Sequence, residues 1–341
     1  MFTPFRCPNP RCSNHRDPVG SWWRKRGWYQ PRCRHFPVPR FDCKSCRKGF
    51  SRQTFRADYW DRKPHVNAQL ATLLSSGNGL RQSARMLHLH RNALMAKARK
   101  LGLQLLHAHH NQLRRLRLFS PTLVLDEMES FEGSRRTRPV TMPVLIDRDS
   151  MYVIGAGADT LAARGRLARR HRRVLERDQA RDGKRKNRSS RVTGHLLRIA
   201  ARISEGPVTL VCDRKHSYPG LARRAFGEDR VEVQQHSSKL ARNTANPLFR
   251  INLTNAMFRD LAGRLRRRSW LASKNRHCLR IALAFVVCYR NYIRPRFNRD
   301  ERAEVRTPAQ LLSLVDRPLS FQQLLGWRQD WGPRSPALLA T

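Results

Sequence analysis

The sequence predicts a multidomain chain in which a small metal-stabilised unit precedes a helical unit and a larger α/β domain. Three observations predict this order: two close pairs of cysteines near the start, a helical hydrophobic period from Pro64, and apolar strands from about Thr122. The 341 residues suit two or three domains of about 150 residues each. We place the units at residues 1–62, 63–106, 121–300 and 301–341, with a polar, basic linker over 107–120.

The charge of the chain indicates a polyanionic partner. Lysine and arginine number 69 against 25 acidic residues, a formal net charge of +44. Such a surplus attracts nucleic acid with steep salt dependence, and the excess of arginine over lysine favours bidentate contacts to phosphate and guanine. An anionic membrane surface or a ribosomal type of RNA scaffold is the alternative. Hydrophobic residues make up 40% of the chain, which excludes a disordered basic tail.

The paired cysteines predict a structural zinc site. Each pair has the spacing at which a short turn presents two thiolates to one metal ion. The surrounding residues are too poor in apolar side chains to fold alone, so a metal would supply the stability. We interpret this unit as a zinc ribbon whose ligands are Cys7, Cys12, Cys43 and Cys46. The alternatives are that His15, Cys33 or His35 replaces one of them, or that no metal binds.

The second unit has the pattern of a helix-turn-helix. An apolar stripe predicts a first helix that ends at Gly77, and residues 80–87 and 91–101 predict two more, the last stopped by Gly102. The third helix of such a unit meets DNA. A small three-helix bundle that only packs against other parts of the chain is the alternative. The predicted DNA contacts are Arg91, Asn92, Lys97 and Arg99.

The larger domain predicts a mixed α/β sheet with helices on its faces. Three strands come first, and the strand over 122–131 carries Asp126 at its centre. A helical and very basic insertion over 160–195 follows, which we interpret as an arm that tracks phosphates. The apolar run over 208–213 is typical of a buried strand and ends in Asp213.

Asp126 and Asp213 are candidate metal ligands. If their strands are neighbours, the carboxylates converge and can hold Mg²⁺ or Mn²⁺, which prefer oxygen ligands and suit phosphate substrates. The alternative is that Asp213 caps the next helix and Asp126 pairs with an arginine.

The order of these parts resembles the short insertion-sequence transposases of bacteria, of the DDE, RNase H-like class. The resemblance rests on FDCKSCRKGFSRQTF, LRQSARML, LVLDEMESFEG, LVCDRKHSYPG, RLRRRSWLASKN, CYRNYIR and TPAQLLSLVDRP, and extends over about residues 5–330. It implies a transposase that binds double-stranded DNA at element ends and catalyses metal-dependent strand cleavage and strand transfer. It also implies an RNase H-like catalytic domain with Asp126 and Asp213 as ligands of Mg²⁺ or Mn²⁺.

The third acid of the family pattern is absent from its expected position. The pattern I-E-x-x-N-x-x-x-R falls on residues 251–259, with Asn252 in place of the glutamate. Asp260 is the only acid between Ser237 and Arg299, and eight residues of helix are about 12 Å. The candidate catalytic set is therefore Asp126 and Asp213 with Asp260 or Asn252. A catalytically inactive, DNA-binding regulator is the alternative function, and a structural RNA-binding protein is a third.

The sequence also suggests further DNA contacts, an oligomeric state and a location. Basic residues after the catalytic helix would clamp phosphates. Trp270 is interpreted as a core or interface anchor, with stacking on a base as the alternative. The candidates for the clamp are Arg264, Arg266, Arg267, Arg268 and Lys274. Two DNA ends must be brought together, so we expect a homo-oligomer. We find no signal peptide and no apolar run of about 20 residues, so we expect a bacterial, nucleoid-associated cytoplasmic protein without membrane contact.

Overall fold

The computed structural model describes residues 3–31, 35–241, 243–266, 271, 273–297 and 305–327. A short helix, Ser13–Arg16 (α1), is followed by an antiparallel sheet in the order β1-β2-β3. Its strands are Trp23–Tyr29 (β1), Val38–Cys43 (β2) and Gly49–Ser51 (β3). Its small core is mainly aromatic: Trp22 stacks on Phe50 at 5.6 Å between ring centroids, and Trp23 meets Phe41 edge-on at 5.1 Å. Strand β2 leads directly into the second cysteine pair, because it ends at Cys43.

Three helices follow: Asn67–Leu74 (α2), Leu80–Met86 (α3) and Arg91–Arg115 (α4). The first two confirm the predicted helices. The predicted helix end at Gly102 is wrong, because α4 continues for 25 residues through Gly102 and through the first part of the segment predicted as a linker. Gly102 permits a close helix crossing instead, since a Cβ there would lie 2.3 Å from Cγ2 of Ile281 in a later helix.

The main sheet is mixed, as predicted, and its principal path is β11-β10-β5-β6-β7. Strand β5 pairs antiparallel with β6 and parallel with β10, and β10 pairs parallel with β11. Strand β8 joins β6, and β4 pairs with β9 as a separate two-stranded sheet. The strands are Leu118–Phe119 (β4), Thr122–Phe131 (β5), Pro139–Asp147 (β6), Val153–Ala156 (β7), Asp159–Thr160 (β8), Ser204–Glu205 (β9), Val208–Asp213 (β10) and Val231–His236 (β11).

Helices cover both faces of this sheet. Leu125 packs with α6 and α7 on one face, whereas Val124 packs with α8 on the other. The helices are Arg169–Asp182 (α5), Ser189–Ile203 (α6), Ser217–Phe226 (α7), Phe249–Leu261 (α8), Arg276–Cys288 (α9), Pro308–Leu311 (α10) and Phe321–Gly326 (α11). None of the helices in the described ranges has both the length and the apolar character of a membrane span.

The helical unit and the sheet domain are packed together. Leu70 and Leu94 belong to the same apolar core as Leu123 and Leu125. The amide of Gly77 donates to the carbonyl of Leu261 at 2.8 Å, so the turn after α2 caps the end of α8. The helical unit of α2, α3 and α4 is therefore fixed against the domain that carries the acids.

A buried hydrogen-bonded group of rings fastens the second half of α4 to the sheet. His109 Nε2 lies 3.2 Å from the carbonyl oxygen of Ile154, and Nδ1 lies 2.8 Å from the Tyr292 hydroxyl. Tyr292 is in turn 2.7 Å from the Tyr152 hydroxyl. A neutral ring with its proton on Nε2 satisfies these contacts, with Tyr292 donating to Nδ1. Burial lowers the pKa of His109 to about 4.

This histidine predicts a loss of stability in mild acid. Below about pH 6.5 the unfolded state binds a proton that the folded state excludes, so stability falls as the pH drops towards the folded pKa of about 4. We expect His109 to lower the free energy of unfolding by about 2 kcal/mol between pH 7 and pH 5. Urea unfolding at the two pH values measures it. His109→Gln, which retains a hydrogen-bond donor and an acceptor, should not show this loss of stability between pH 7 and pH 5. A variant with the same pH dependence as the wild type would show that His109 is not its cause.

Candidate functional site

The amino-terminal unit brings four thiols together. Cys7 and Cys12 come from the chain before α1, Cys43 ends β2, and Cys46 follows in the turn before β3. Their sulfur atoms all lie within 4.8 Å of one another, with 3.5 Å between Cys7 and Cys46 and 3.7 Å between Cys12 and Cys43. In a tetrahedral site with Zn–S bonds of about 2.3 Å, the sulfurs are about 3.8 Å apart. The four predicted cysteines could therefore bind a structural metal such as zinc.

The electrostatics of this cluster fit a bound cation. Burial raises the pKa of Cys7 and of Cys12, so these thiols need a positive charge nearby to ionise. Burial acts in the same direction on Cys43, but backbone amides and the Asn14 side chain donate to its sulfur and lower its pKa to about 6. Among the alternative ligands, His15 has its Nδ1 2.6 Å from the Cys7 carbonyl oxygen. His35 is exposed, and Cys33 lies outside the described residues.

The two predicted acids lie on neighbouring strands, each directly after the last residue pair of β5 and β10. The parallel register pairs Cys212 of β10 with Leu125 of β5, so Asp213 and Asp126 are the next residues on the two strands. Side chains alternate between the faces of a sheet. Leu125 and Cys212 pack on the α6–α7 face, so both aspartates project towards the α8 face. The structure thus brings the two candidate metal ligands to one place.

The environment of Asp126 disfavours its ionised form. Burial raises the pKa of Asp126, and the negative charges of Asp213 and Glu127 raise it further. A backbone hydrogen bond from Glu127 and the positive charge of Arg259 act in the opposite direction. A cation between the two aspartates would relieve this repulsion and would be bound more tightly for that reason.

Helix α8 adds Asn255 to the acid pair. Its Nδ2 donates to Oδ2 of Asp126 at 2.7 Å, and its Oδ1 is buried with no hydrogen-bond partner in the described part of the chain. An unpaired amide oxygen beside a carboxylate is a group that a hard cation would satisfy. Sequence reasoning gave Asn255 no role. The sequence does mark this residue, because Asn255 is the asparagine of the pattern I-E-x-x-N-x-x-x-R, three residues after Asn252.

The two residues considered for the role of the third acid, Asn252 and Asp260, lie at different positions on α8. Asn252 is three residues before Asn255, hence on the same side of α8, and is partly exposed. Asp260 is exposed near the other end of the helix and about 140° around it from Asn255, so it does not join Asp126. The described residues contain no cluster of three or more potential metal-binding side chains besides the four cysteines.

Glu127 lies on the opposite face of β5 and is saturated with donors. Lys215 pairs with Oε1 at 2.5 Å, and the Tyr218 hydroxyl donates to the same oxygen at 3.0 Å. Further donors are the hydroxyls of Thr141, Ser189 and Thr193. Burial opposes ionisation, but these contacts outweigh it and lower the pKa of Glu127. This carboxylate joins β5 to β6, α6 and α7 and is not free to bind a metal.

The predicted DNA-contacting residues of α4 divide into two groups. Arg91, Asn92 and Arg99 are exposed. Lys97 corrects the prediction, because its ammonium is paired with Asp61 at 2.5 Å and only 9% of its side chain is exposed. It also donates to Oδ1 of Asn67 at 2.8 Å. Lys97 therefore ties α4 to the segment before α2 instead of presenting a charge to DNA.

A pair of substitutions distinguishes the two groups. Arg99→Ala is expected to weaken duplex binding and to lower the slope of log affinity against log salt by about 0.9, since one phosphate contact is lost. Lys97→Ala should leave that slope unchanged but lower the free energy of unfolding by about 3 kcal/mol, because Asp61 keeps a buried, unpaired charge. Salt titrations of DNA binding and urea unfolding of both variants provide the measurement. A reduced salt slope in Lys97→Ala would contradict this division.

The basic residues after α8 are only partly placed. Arg266 and Lys274 are exposed, whereas Arg264 is partly buried and donates to the Cys278 carbonyl oxygen at 3.3 Å. Arg267 and Arg268, with Trp270, lie outside the described residues.

The predicted basic insertion contains α5, a helix in which no residue is buried. Arg138 holds it through Asp178 at 3.3 Å and Asp182 at 2.8 Å. Arg185, just after α5, pairs with buried Glu132 at 2.7 Å. The arginines of α5 itself are therefore displayed on a helix that has no buried residue.

Comparison of the chain with protein-family models and with curated proteins found no match.

Proposed function

We propose that the protein is a DNA transposase of the DDE, RNase H-like class, with a divalent-metal centre at Asp126 and Asp213. The observation that carries the proposal is the position of these two carboxylates on adjacent strands, each one residue beyond the pair Leu125 and Cys212 and on the face that α8 covers. The raised pKa of Asp126 and the unpaired oxygen of Asn255 support a cation-binding role for this place. The mixed sheet with helices on both faces is compatible with the same class and supports it.

The residues of the site would have two roles: some would bind the cation, and one would orient a ligand of that cation. Asp126 and Asp213 would hold the cation, and the amide of Asn255 would fix the Asp126 carboxylate through its hydrogen bond. A divalent cation supplies charge stabilisation to the phosphate and to the attacking and leaving oxygens. Water would attack a phosphorus atom as its bond to the 3′ oxygen breaks. The released 3′ hydroxyl would then attack a target phosphate in the same manner.

Other parts of the chain would supply the DNA. The exposed start of α4 would read duplex at the element ends, and α5 would follow the phosphates beside it. The zinc ribbon would extend this surface, and a homo-oligomer would bring two ends together. These assignments are supported by the net charge of +44 and by the exposure of Arg91, Asn92 and Arg99.

A DNA-binding regulator without nuclease activity is the second candidate. It is favoured by Asn252, which replaces the expected acid, and by the distance of Asp260 from the pair along α8. An amide ligand carries no negative charge, so Asn252 or Asn255 would hold Mg²⁺ more weakly than a glutamate would.

Strand-break mapping tests the proposal. The full chain is incubated with duplex containing the DNA that flanks its gene, with Mg²⁺ or Mn²⁺ or with a chelator. We expect breaks at defined positions that need the metal, disappear in Asp213→Asn and persist in Asp229→Asn, which changes an exposed acid. Salt-sensitive binding without any break in the wild type would reject the transposase and favour the regulator.

A further inference from the structure

Strand β1 is an edge strand, and most of its side chains are exposed to solvent instead of packing in the core. In the order β1-β2-β3, it pairs with one strand only among the residues that the structure describes. Its sequence is WRKRGWY, and the five central residues are all exposed. Trp22 and Trp23, which precede or begin the strand, belong to the aromatic core. Trp28 does not, and 55% of its surface is exposed.

An irregularity in the strand determines where Trp28 points. Lys25 is opposite Phe41, and Trp28 is opposite Pro39, so three steps along β1 correspond to two along β2. This is a β-bulge, and Gly27 within it has a φ of +82°, a conformation that glycine adopts without strain. Because of the extra residue, Trp28 projects from the same face as Lys25 instead of the opposite one.

The bulge thereby assembles a ring and a cation. The Lys25 ammonium lies 4.5 Å from the centroid of the Trp28 ring. On the other face of the strand, Arg24 and Arg26 lie 3.7 and 3.5 Å from Asp42, with 70% and 60% of their side chains exposed. A single carboxylate shared by two such arginines leaves a surplus of positive charge on both sides of the strand.

We propose that β1 binds single-stranded DNA, with an unpaired base stacked on Trp28, the adjoining phosphate at Lys25, and phosphates further along the strand at Arg24 and Arg26, where the DNA crosses the open edge of the sheet. Exposed aromatic rings flanked by cations are how proteins bind single strands with little sequence preference. A base in intact duplex is already stacked on its neighbours and does not offer its face to this ring. The proposal takes from the proposed function only that the chain handles DNA, and it requires neither metal nor cleavage.

Binding of a fluorescently labelled oligo(dT) of about 12 nucleotides to the full chain, in chelator, tests this site. Trp28→Ala is expected to weaken binding about 10- to 100-fold, and Trp28→Phe less, because a ring remains. Trp60→Ala is the matched control, since Trp60 is 86% exposed but lies outside the ribbon sheet. Lys25→Ala should lower the salt slope by about 0.7, whereas Trp28→Ala should leave that slope unchanged.

Several results would overturn the site. They are equal losses in Trp28→Ala and Trp60→Ala, an equal loss of duplex and single-strand binding in Trp28→Ala, or tighter Trp28-dependent binding of oligo(U). Retained zinc in each variant shows that the ribbon is intact. Failure of this proposal is distinguishable from failure of the proposed function. Trp28-dependent binding by a protein that cuts no DNA would support the single-strand site and reject the transposase. DNA cleavage combined with single-strand binding that does not depend on Trp28 would support the transposase and reject the single-strand site.

Discussion

Asp126→Asn is expected to reduce metal-dependent strand cleavage at least about 100-fold while raising the stability of the metal-free protein. Loss of even an outer partner of a metal ligand costs about 10- to 100-fold, and Asp126 is proposed as a ligand itself. The folded pKa of Asp126 lies above its usual value, so its ionised form destabilises the fold at neutral pH. An amide removes that charge and keeps the shape of the side chain.

The two effects are measured in parallel. Thermal unfolding in chelator should give a higher midpoint for the variant than for the wild type. Added Mn²⁺ should raise the midpoint of the wild type and leave that of the variant unchanged. Glu228→Gln, which neutralises an exposed acid, is the control and should follow the wild type. A variant that is less stable in chelator, or that still cuts at the wild-type rate, would contradict the role given to Asp126.

Cys43→Ser is expected to abolish zinc binding at the four cysteines and to unfold the amino-terminal unit while the rest of the chain stays folded. Structural zinc contributes about 10–16 kcal/mol to small domains of this kind, which their own cores do not replace. The ribbon core is a small cluster around Trp22, Phe41 and Phe50. The α2–α4 helices share a different core with the main sheet and so do not depend on the metal.

Metal analysis and limited proteolysis check this outcome. The variant should lose zinc and become cleavable within residues 3–63, with a protected fragment that contains the helices and the sheet. Cys278→Ser is the matched control, because Cys278 is exposed and lies outside the cluster. A variant that retains its zinc, or a protease pattern like that of the wild type, would show that the four thiols do not bind the metal as a set.

Local sequence signals predicted the parts of the molecule that depend on local chemistry. The cysteine spacing predicted four ligands that the structure brings together. The apolar runs around Asp126 and Asp213 predicted their strands, and the parallel register then placed the two acids side by side. Strand periodicity also separates Asp126 from Glu127, since adjacent residues face opposite sides of the sheet.

The errors arise where packing between distant segments overrides local preference. Gly102 looked like a helix end, but its missing side chain makes room for α9. Lys97 looked like a DNA contact, but its partner Asp61 lies 36 residues earlier in the chain. Asn255 acquires its role only because α8 packs over β5. None of these contacts is visible in a single segment of sequence.

The length of α4 has a mechanical consequence. Its 25 residues form a rod of about 38 Å, with Arg91 and Asn92 in solvent at one end and His109 locked among buried rings towards the other. A duplex held at the exposed end would be at a set distance and angle from Asp126. In the proposed function, the length of the rod would therefore set the distance between the bases that Arg91 and Asn92 contact and the phosphate that is cleaved beside Asp126. One inserted residue would turn its two ends by about 100° relative to each other.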